Sequence, residues 1–203
     1  ALKTLSGVQC IGLEAAVQMV GFYERAGFQK DCITTRRQML FRSEASLDAS
    51  PSQRSDVAVV PLHEVSLEAI QRYDERHEIS PRPHFLELWL RHRAGDVFAA
   101  RDAEGECHGY VRIRPCLLPI GEGWRVGPWL AEDPGMASLL LNNALDHHNG
   151  VVLIDTPGHN PSAKTILSAR GFKPMTSTVR MYKGVIPKGH DRNVYGLACL
   201  ELG

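Results

Sequence analysis

The chain has 203 residues, of which 43% are hydrophobic, and its 23 lysines and arginines balance its 23 aspartates and glutamates. A formal net charge of zero argues against a nucleic-acid-binding protein, because such binding needs clustered positive charge. The hydrophobic fraction is typical of a globular protein, and no apolar stretch reaches the roughly 18 residues that a membrane span requires.

The N-terminal part of the chain predicts one strand–helix–strand unit. Residues 7–13 are apolar and predict a buried strand, and residues 14–26 have apolar side chains at helical spacing. Gly27 follows as a helix C-cap, and Phe28 opens a second extended run. Residues 43–56 are polar and contain serine, aspartate and proline, which is typical of a linker.

A larger set of elements follows and spans residues 57–203. The predicted order is a strand, two helices, three strands, a helix, a strand, a helix and two strands. This order describes an α/β fold with a mixed sheet, joined by antiparallel and crossover connections. Ser66 and Asp133 are expected helix N-caps, and Pro134 suits a first helical position. The predicted elements cover 57–62, 66–77, 84–93, 96–102, 106–115, 124–131, 133–148, 151–156, 160–170, 172–184 and 193–202.

A strand–helix–Gly-Phe–strand pattern occurs twice in the chain. Gly27-Phe28 and Gly171-Phe172 lie about 144 positions apart, roughly one domain length. Either the first copy belongs to a preceding module of a longer protein, or it completes the fold of the later domain. We favour the first interpretation, in which residues 1–42 are the tail of a first module, 43–56 are a linker and 57–203 are a complete second module.

The cysteines and the N-terminal segment bear on the compartment. Five cysteines occur, an odd number without a CxxC pair, so neither a disulfide framework nor a zinc ribbon is predicted. The first residues lack the basic and apolar arrangement of a signal peptide. We therefore expect a cytoplasmic protein with no metal site and no membrane partner.

Three short motifs and their order carry a family resemblance. They are R-V-G-P at 125–128, N-P at 160–161 and R-M-Y-K-G at 180–184. With the element order, they resemble the GNAT superfamily of acyl-CoA-dependent N-acyltransferases, and more narrowly its tandem members. The resemblance implies a V-shaped split between the fourth and fifth strands of the module, which admits the pantetheine arm of CoA. It also implies that the pyrophosphate sits at the N-terminus of the following helix, where free N–H groups and the helix dipole attract phosphate.

The resemblance places an acetyl-CoA or CoA site on the fourth strand and the following helix. The candidate cofactor-binding residues are Trp129, Leu130, Gly135, Met136, Ala137 and Asn160. The chain departs from the family pattern at Glu132, where a cation or a neutral amide is usual. With Asp133 beside it, two carboxylates would face an anionic ligand, and Pro134 removes one N–H donor. Asp133-Pro134 also has a simpler interpretation as a good helix start.

The expected catalytic groups are unevenly divided between the two copies of the repeat. The family's proton donor is a tyrosine four residues before the Gly-Phe pair, and Tyr23 stands there in the first copy. The second copy has Leu167 at that position, which has no proton to donate. Glu122 is a weak candidate for the base that deprotonates the amine.

The resemblance therefore predicts an N-acyltransferase, most simply an acetyltransferase, in which a primary amine of a small molecule or peptide attacks the acyl-CoA thioester directly. The first module would supply the main CoA site, and residues 57–203 would be a partner module. A catalytically silent domain that binds a ligand or a regulatory partner is the alternative. A homodimer, in which the first 42 residues donate strands to a neighbour, is a further prediction.

Overall fold

One mixed sheet of nine strands organises the computed structural model, which describes residues 7–41, 56–119, 121–146, 148–187 and 192–200. The strands are β1 (Cys10–Ala16), β2 (Gln29–Phe41), β3 (Ala58–Pro61), β4 (Asp96–Arg101), β5 (Cys107–Leu118), β6 (Gly121–Ala131), β7 (Gly150–Thr156), β8 (Lys173–Gly184) and β9 (Val194–Gly196). The helices are α1 (Val20–Arg25), α2 (Leu67–His77), α3 (Pro83–Leu90), α4 (Pro134–Leu145) and α5 (Pro161–Ala169). The α/β fold is as predicted, and no helix in the described ranges has the length and apolar character to cross a membrane.

The predicted helix starts are confirmed where a local side chain caps them. The Ser66 hydroxyl accepts a hydrogen bond from the Ala69 amide at 3.1 Å, and Asp133 caps α4 in the same way. A cap of this kind satisfies an N–H group that the first helical turn leaves without an intrahelical partner. Short-range chemistry therefore fixed these boundaries.

Two predicted elements differ most from the observed ones. Residues 14–16 were expected in a helix but belong to β1, because β1 pairs with β8 along its whole length, up to Ala16 opposite Thr178. The predicted strand 193–202 is observed as Val194–Gly196, which pairs with β6, and its last two residues lie outside the described residues. The predicted linker falls almost wholly outside the described residues, which resume at Asp56.

The two copies of the repeat are interleaved in the sheet. Each copy forms a strand–helix–strand unit, β1–α1–β2 in the first and β7–α5–β8 in the second. The strand order at this end of the sheet is β1-β8-β2-β7, and every neighbouring pair is antiparallel. Each unit thus places its second strand between the two strands of the other, which makes β1 and β2 part of the same sheet as the rest.

Helices cover both faces of the other end of the sheet. On one face α2 and α3 pack on β4 and β5, with Tyr73 and Tyr110 fully buried. On the opposite face α4 and α5 pack on β5, β6 and β7, around Trp129. The alternation is visible in β5, where Tyr110 faces the first cluster and Val111 the second. This two-sided cover buries the C-terminal half of β6, which carries the candidate cofactor residues Trp129 and Leu130.

A buried ion pair joins the two interleaved units. The Arg36 guanidinium on β2 donates two hydrogen bonds to the Asp155 carboxylate on β7, at 2.7 and 2.9 Å. The Asp155 side chain is 1% exposed and that of Arg36 is 19% exposed. Because a buried carboxylate without its partner is costly, this pair holds β2 in register against β7.

We predict that Arg36→Met lowers the free energy of unfolding by about 3–5 kcal/mol, because it leaves the Asp155 carboxylate buried and uncompensated. Urea unfolding followed by tryptophan fluorescence measures the loss. The matched control is Arg72→Met, since the ion pair of Arg72 with Glu106 is exposed at 56% and 49%. The control should cost about 1 kcal/mol or less, and equal losses in both variants would contradict the prediction.

Candidate functional site

Strands β6 and β7 separate after a short stretch of pairing. They are parallel neighbours from Trp124 opposite Val152 to Val126 opposite Ile154. Beyond that point β6 continues to Ala131 and β7 to Thr156 without pairing to each other. This opening lies between the fourth and fifth strands of residues 57–203, which is where the split was predicted.

The C-terminal strand β9 lies in this opening. Trp129 pairs with Gly196 and Leu130 with Val194, and the Ala131 amide donates to the Asn193 carbonyl at 3.0 Å. On the other side of the opening, the Leu197 amide donates to the carbonyl of Asp155 on β7 at 2.9 Å. The main chain of the opening is therefore hydrogen-bonded to the chain's own C-terminal segment.

Gly127 lets the C-terminal segment approach β6 closely. Its φ of +146° lies in the region that favours glycine, and the peptide bond to Pro128 is cis. A Cβ atom at this position would collide with the Leu197 carbonyl oxygen. The Gly-Pro pair of the R-V-G-P motif thus shapes the place where the strand at the opening meets the C-terminal segment.

The Asn160 side chain holds the beginning of β9. Its amide nitrogen donates to the Val194 carbonyl at 3.1 Å and to the Arg192 carbonyl at 2.5 Å. Its oxygen accepts from the Ala163 amide at 3.0 Å and so caps α5. Asn160 is 3% exposed, so one buried side chain ties the α5 N-terminus to the strand in the opening.

The N-terminus of α4 already has a carboxylate of its own. The Met136 amide donates to Asp133 Oδ1 at 2.8 Å, and Pro134 has no N–H to offer. Gly135, Met136 and Ala137 are buried. The helix start therefore has the geometry of an anion site, but its own N-cap occupies it.

Glu132 adds a second acidic group beside this helix start. Its carboxylate contacts His108 Nδ1 at 2.8 Å, while His108 Nε2 contacts Asp102 at 2.7 Å. The hydrogen bond with His108 lowers the pKa of Asp102. The imidazole thus bridges two carboxylates, which makes the surroundings of the α4 N-terminus unfavourable for pyrophosphate. The residues of this module consequently do not fit CoA in the way the family pattern implies.

The two predicted catalytic residues lie away from the opening. Glu122 is exposed near the start of β6, opposite Leu117, five residues before Gly127. Tyr23 lies on α1 and packs edge-on against Phe28, with ring centroids 5.8 Å apart. Leu167, at the matching position of the second copy, is fully buried. The structure thus gathers Trp129, Leu130 and Asn160 around β9 and leaves Tyr23 and Glu122 outside that group.

A polar cavity of about 140 Å³ lies between the first unit and the rest of the chain. Sequence reasoning did not find it, because its walls come from segments that are far apart in sequence. Its charged walls include Glu78 and Arg82 from the α2–α3 connection and Glu14 and Arg180 from β1 and β8. The full lining is Glu14, Cys32, Thr34, His77, Glu78, Ile79, Ser80, Arg82, Pro157, His159, Arg180, Tyr182, Val194 and Leu197.

The carboxylates of this cavity are held by neighbours. Glu14 accepts hydrogen bonds from the Thr34 and Thr178 hydroxyls at 2.9 and 2.7 Å, and burial raises its pKa. Arg82 donates to both Glu78 and Asp74. Burial raises the pKa of Glu78 to about 7, although the Arg82 charge acts in the opposite direction. The cavity thus contains a carboxyl group that changes its charge near neutral pH.

Comparisons with known proteins identify the fold and the family. A sequence model of the acetyltransferase (GNAT) domain matches residues 70–196, more than half of the chain. Holothin acyltransferase of Pseudoalteromonas sp. (strain SANK 73390) is 25% identical over 195 residues, which are 95% of this chain and 62% of that protein.

Solved structures agree with this match. A protein of Pyrococcus horikoshii, proposed to be an acetyltransferase, has a TM-score of 0.71 at 21% identity. The match covers 96% of this chain and 60% of the Pyrococcus chain. A GCN5-related N-acetyltransferase of Sphaerobacter thermophilus has a TM-score of 0.59 at 13% identity, with 91% and 64% covered. These likenesses show the fold. The chain spans about three fifths of the length of the first of these relatives.

We predict that Asn160→Ala destabilises the fold by about 1–3 kcal/mol, because it removes a helix cap and leaves buried carbonyl groups without a donor. Urea unfolding measures the change, and hydrogen exchange of the Ala131 and Leu197 amides reports on β9. Asn143→Ala is the control, since its side chain donates to the Leu139 carbonyl in its own helix. Exchange at the two amides that is no faster in Asn160→Ala than in the control would argue against a holding role.

Glu78 should make stability fall as the pH rises. Its pKa is about 7 in the folded protein against 4.5 as the ordinary value. The folded state therefore holds a proton that the unfolded state releases, and this contribution is fully present below about 4.5 and lost as the pH rises through about 7.

Unfolding by urea at about pH 5 and about pH 8 tests this linkage. Relative to Glu78→Gln, the wild-type protein should lose on the order of 2 kcal/mol between these two values. Glu104→Gln, at an exposed position in the β4–β5 turn, is the control and should follow the wild type. If Glu78→Gln shows the wild-type pH dependence as well, the assignment to Glu78 is wrong.

Proposed function

Because the chain belongs to the GNAT family of acetyltransferases, we propose that it takes part in the transfer of an acyl group, most simply acetyl, from acyl-CoA to a primary amine. The proposal places the chain in a longer tandem protein, in which residues 1–42 are the tail of a first module. The short coverage of the relatives, 62% and 60% of their lengths, supports this placement. The name of the curated relative supports acyl transfer in general.

In this proposal the opening of residues 57–203 is catalytically silent. The observation that carries it is β9, which forms main-chain hydrogen bonds with Trp129 and Leu130 where the family would offer them to pantetheine. The self-capped α4 N-terminus and the buried Leu167 agree with it. No reaction step is assigned to this opening, and Glu122 has no role in the proposal.

Tyr23 is the proton donor of the proposed reaction. The amine attacks the thioester carbonyl and loses a proton to solvent water, and the carbon–sulfur bond breaks. The phenol protonates the leaving thiolate and regains its own proton from solvent. Tyr23 lies on the first unit, on the far side of the interleaved strands from β6. The Tyr23 ring packs against Phe28. In this proposal its hydroxyl group faces the active site of the first module.

A ligand-binding or regulatory module without turnover is the second candidate. The polar cavity favours it, because its walls combine both units and carry paired carboxylates and guanidinium groups. In this case the GNAT fold would serve recognition, since a fold hosts many functions. The two candidates differ in whether the longest natural form of the protein releases free CoA.

Calorimetric titration of acetyl-CoA into the present chain tests the silent opening. We expect no saturable binding, because the CoA contacts are replaced by β9. The Gly196→Pro variant, which disturbs β9, is compared with Ala103→Pro, at an exposed position of the β4–β5 turn where proline suits the turn geometry. Stoichiometric binding by the wild-type chain would overturn the proposal for this module.

In the longest natural form, Tyr23→Phe should lower kcat for thiol release by about 10²–10⁴-fold, the usual contribution of a general acid. The aromatic packing on Phe28 is kept in this variant. Val17→Ala, at an exposed position before α1, is the control and should retain activity. Wild-type turnover by Tyr23→Phe would remove Tyr23 from the mechanism.

A further inference from the structure

A β-bulge in β2 turns two neighbouring side chains toward the same loop. Lys30 pairs with Met181 and Ile33 with Val179, so Asp31 and Cys32 stand opposite the single residue Arg180. Successive residues of a regular strand point to opposite faces, but a bulge re-aims a side chain. Asp31 and Cys32 therefore both approach the β7–α5 loop.

That loop contributes His159 to the same place. Its Nε2 atom lies 3.0 Å from Asp31 Oδ2. The Cys32 Sγ, His159 nitrogen and Asp31 oxygen atoms all lie within 4.8 Å of one another. A tetrahedral zinc ion sets such ligand atoms about 3.3–3.8 Å apart, so side-chain rotation is enough to close the three groups around an ion.

We propose that Asp31, Cys32 and His159 form a binding site for a divalent transition-metal ion of the zinc type. A thiolate, an imidazole and a carboxylate are the three ligand types that Zn²⁺ uses in proteins, and their mixture disfavours Mg²⁺ and Ca²⁺. The site joins the first unit to the second, since its ligands are 128 positions apart.

The loop is pressed against the bulge at Gly158. A Cβ atom there would lie 2.7 Å from the Ile33 carbonyl oxygen and 3.5 Å from Cys32 Cβ. The Gly158 main chain also hydrogen-bonds the Cys32 sulfur. Main-chain N–H groups directed at a sulfur ligand are a common outer contact of metal–thiolate sites.

The polar cavity supplies the open side of the site. Cys32 and His159 both border it, as does Glu14. A water molecule or a ligand atom in the cavity can take the fourth position, the arrangement of zinc sites that act on substrates. The Asp31 side chain is 11% exposed and that of His159 is 30% exposed, so the group is only partly open to solvent.

Titration of the chain with Co²⁺ as a spectroscopic probe tests the proposal. We expect one Co²⁺ to bind per chain and to give a sulfur-to-cobalt charge-transfer band. The band should disappear when Zn²⁺ displaces Co²⁺. Cys32→Ser should lose this band and bind more than about tenfold more weakly. Cys116→Ser removes another partly buried thiol outside the site and should keep the wild-type band.

The proposal is overturned if the charge-transfer band is absent in the wild type, persists in Cys32→Ser or disappears in Cys116→Ser. Circular dichroism without metal confirms that each variant is folded. Should Cys32→Ser not fold, Asp31→Asn and His159→Gln decide, because both keep the side-chain shape. Zn²⁺ should raise the melting temperature of the wild type but not of these two variants, and an equal rise in all three would refute the site.

Discussion

The position of β2 between β7 and β8 is the constraint on which the rest of the structure depends. Arg36 on β2 binds Asp155 on β7, and β8 is flanked by β1 and β2. The C-terminal strand β9 does not extend either unit and pairs with β6. The opening beside β6 is filled as a consequence, so the interleaving of the two units determines the state of the cleft. A single exchange of strands thus connects the sequence repeat to the chemistry of the module.

This arrangement explains why the fold and the family agree while the module's own cleft departs from the family pattern. The family match covers residues 70–196, and the split between β6 and β7 is a property of the sheet within this range. The interleaving of the two units preserves both. The hydrogen-bonding capacity of the opening is a property of a few main-chain groups, which β9 and the Asp133 cap use up. Acidic residues can then occupy positions where they would repel a pyrophosphate, and Glu132 lies beside His108.

The sequence predicted what local chemistry decides. Helix starts at Ser66 and Asp133 follow from one side chain and an amide three residues away, and the element order of 57–203 follows from apolar periodicity. The end of β1 was predicted as helix because Ala16 continues the helical spacing of the apolar residues that follow it. Pairing with β8, more than 160 positions away, makes residues 14–16 a strand instead. The cavity and the bulge at Asp31 were out of reach for the same reason. Adjacent residues on a regular strand diverge, so nothing in the sequence brings Asp31 and Cys32 to one side.

The filled opening and the polar cavity are two sides of the same rearrangement. Val194 and Leu197, which belong to the segment in the opening, also line the cavity. The segment therefore separates β6 from the space where β1, β2 and β8 contribute Glu14, Cys32 and Arg180. Beyond β9, this compartment contributes carboxyl, thiol and imidazole groups. Because these groups come from both units, the compartment exists only while the units are interleaved, and any ligand bound there would stabilise the interleaved state.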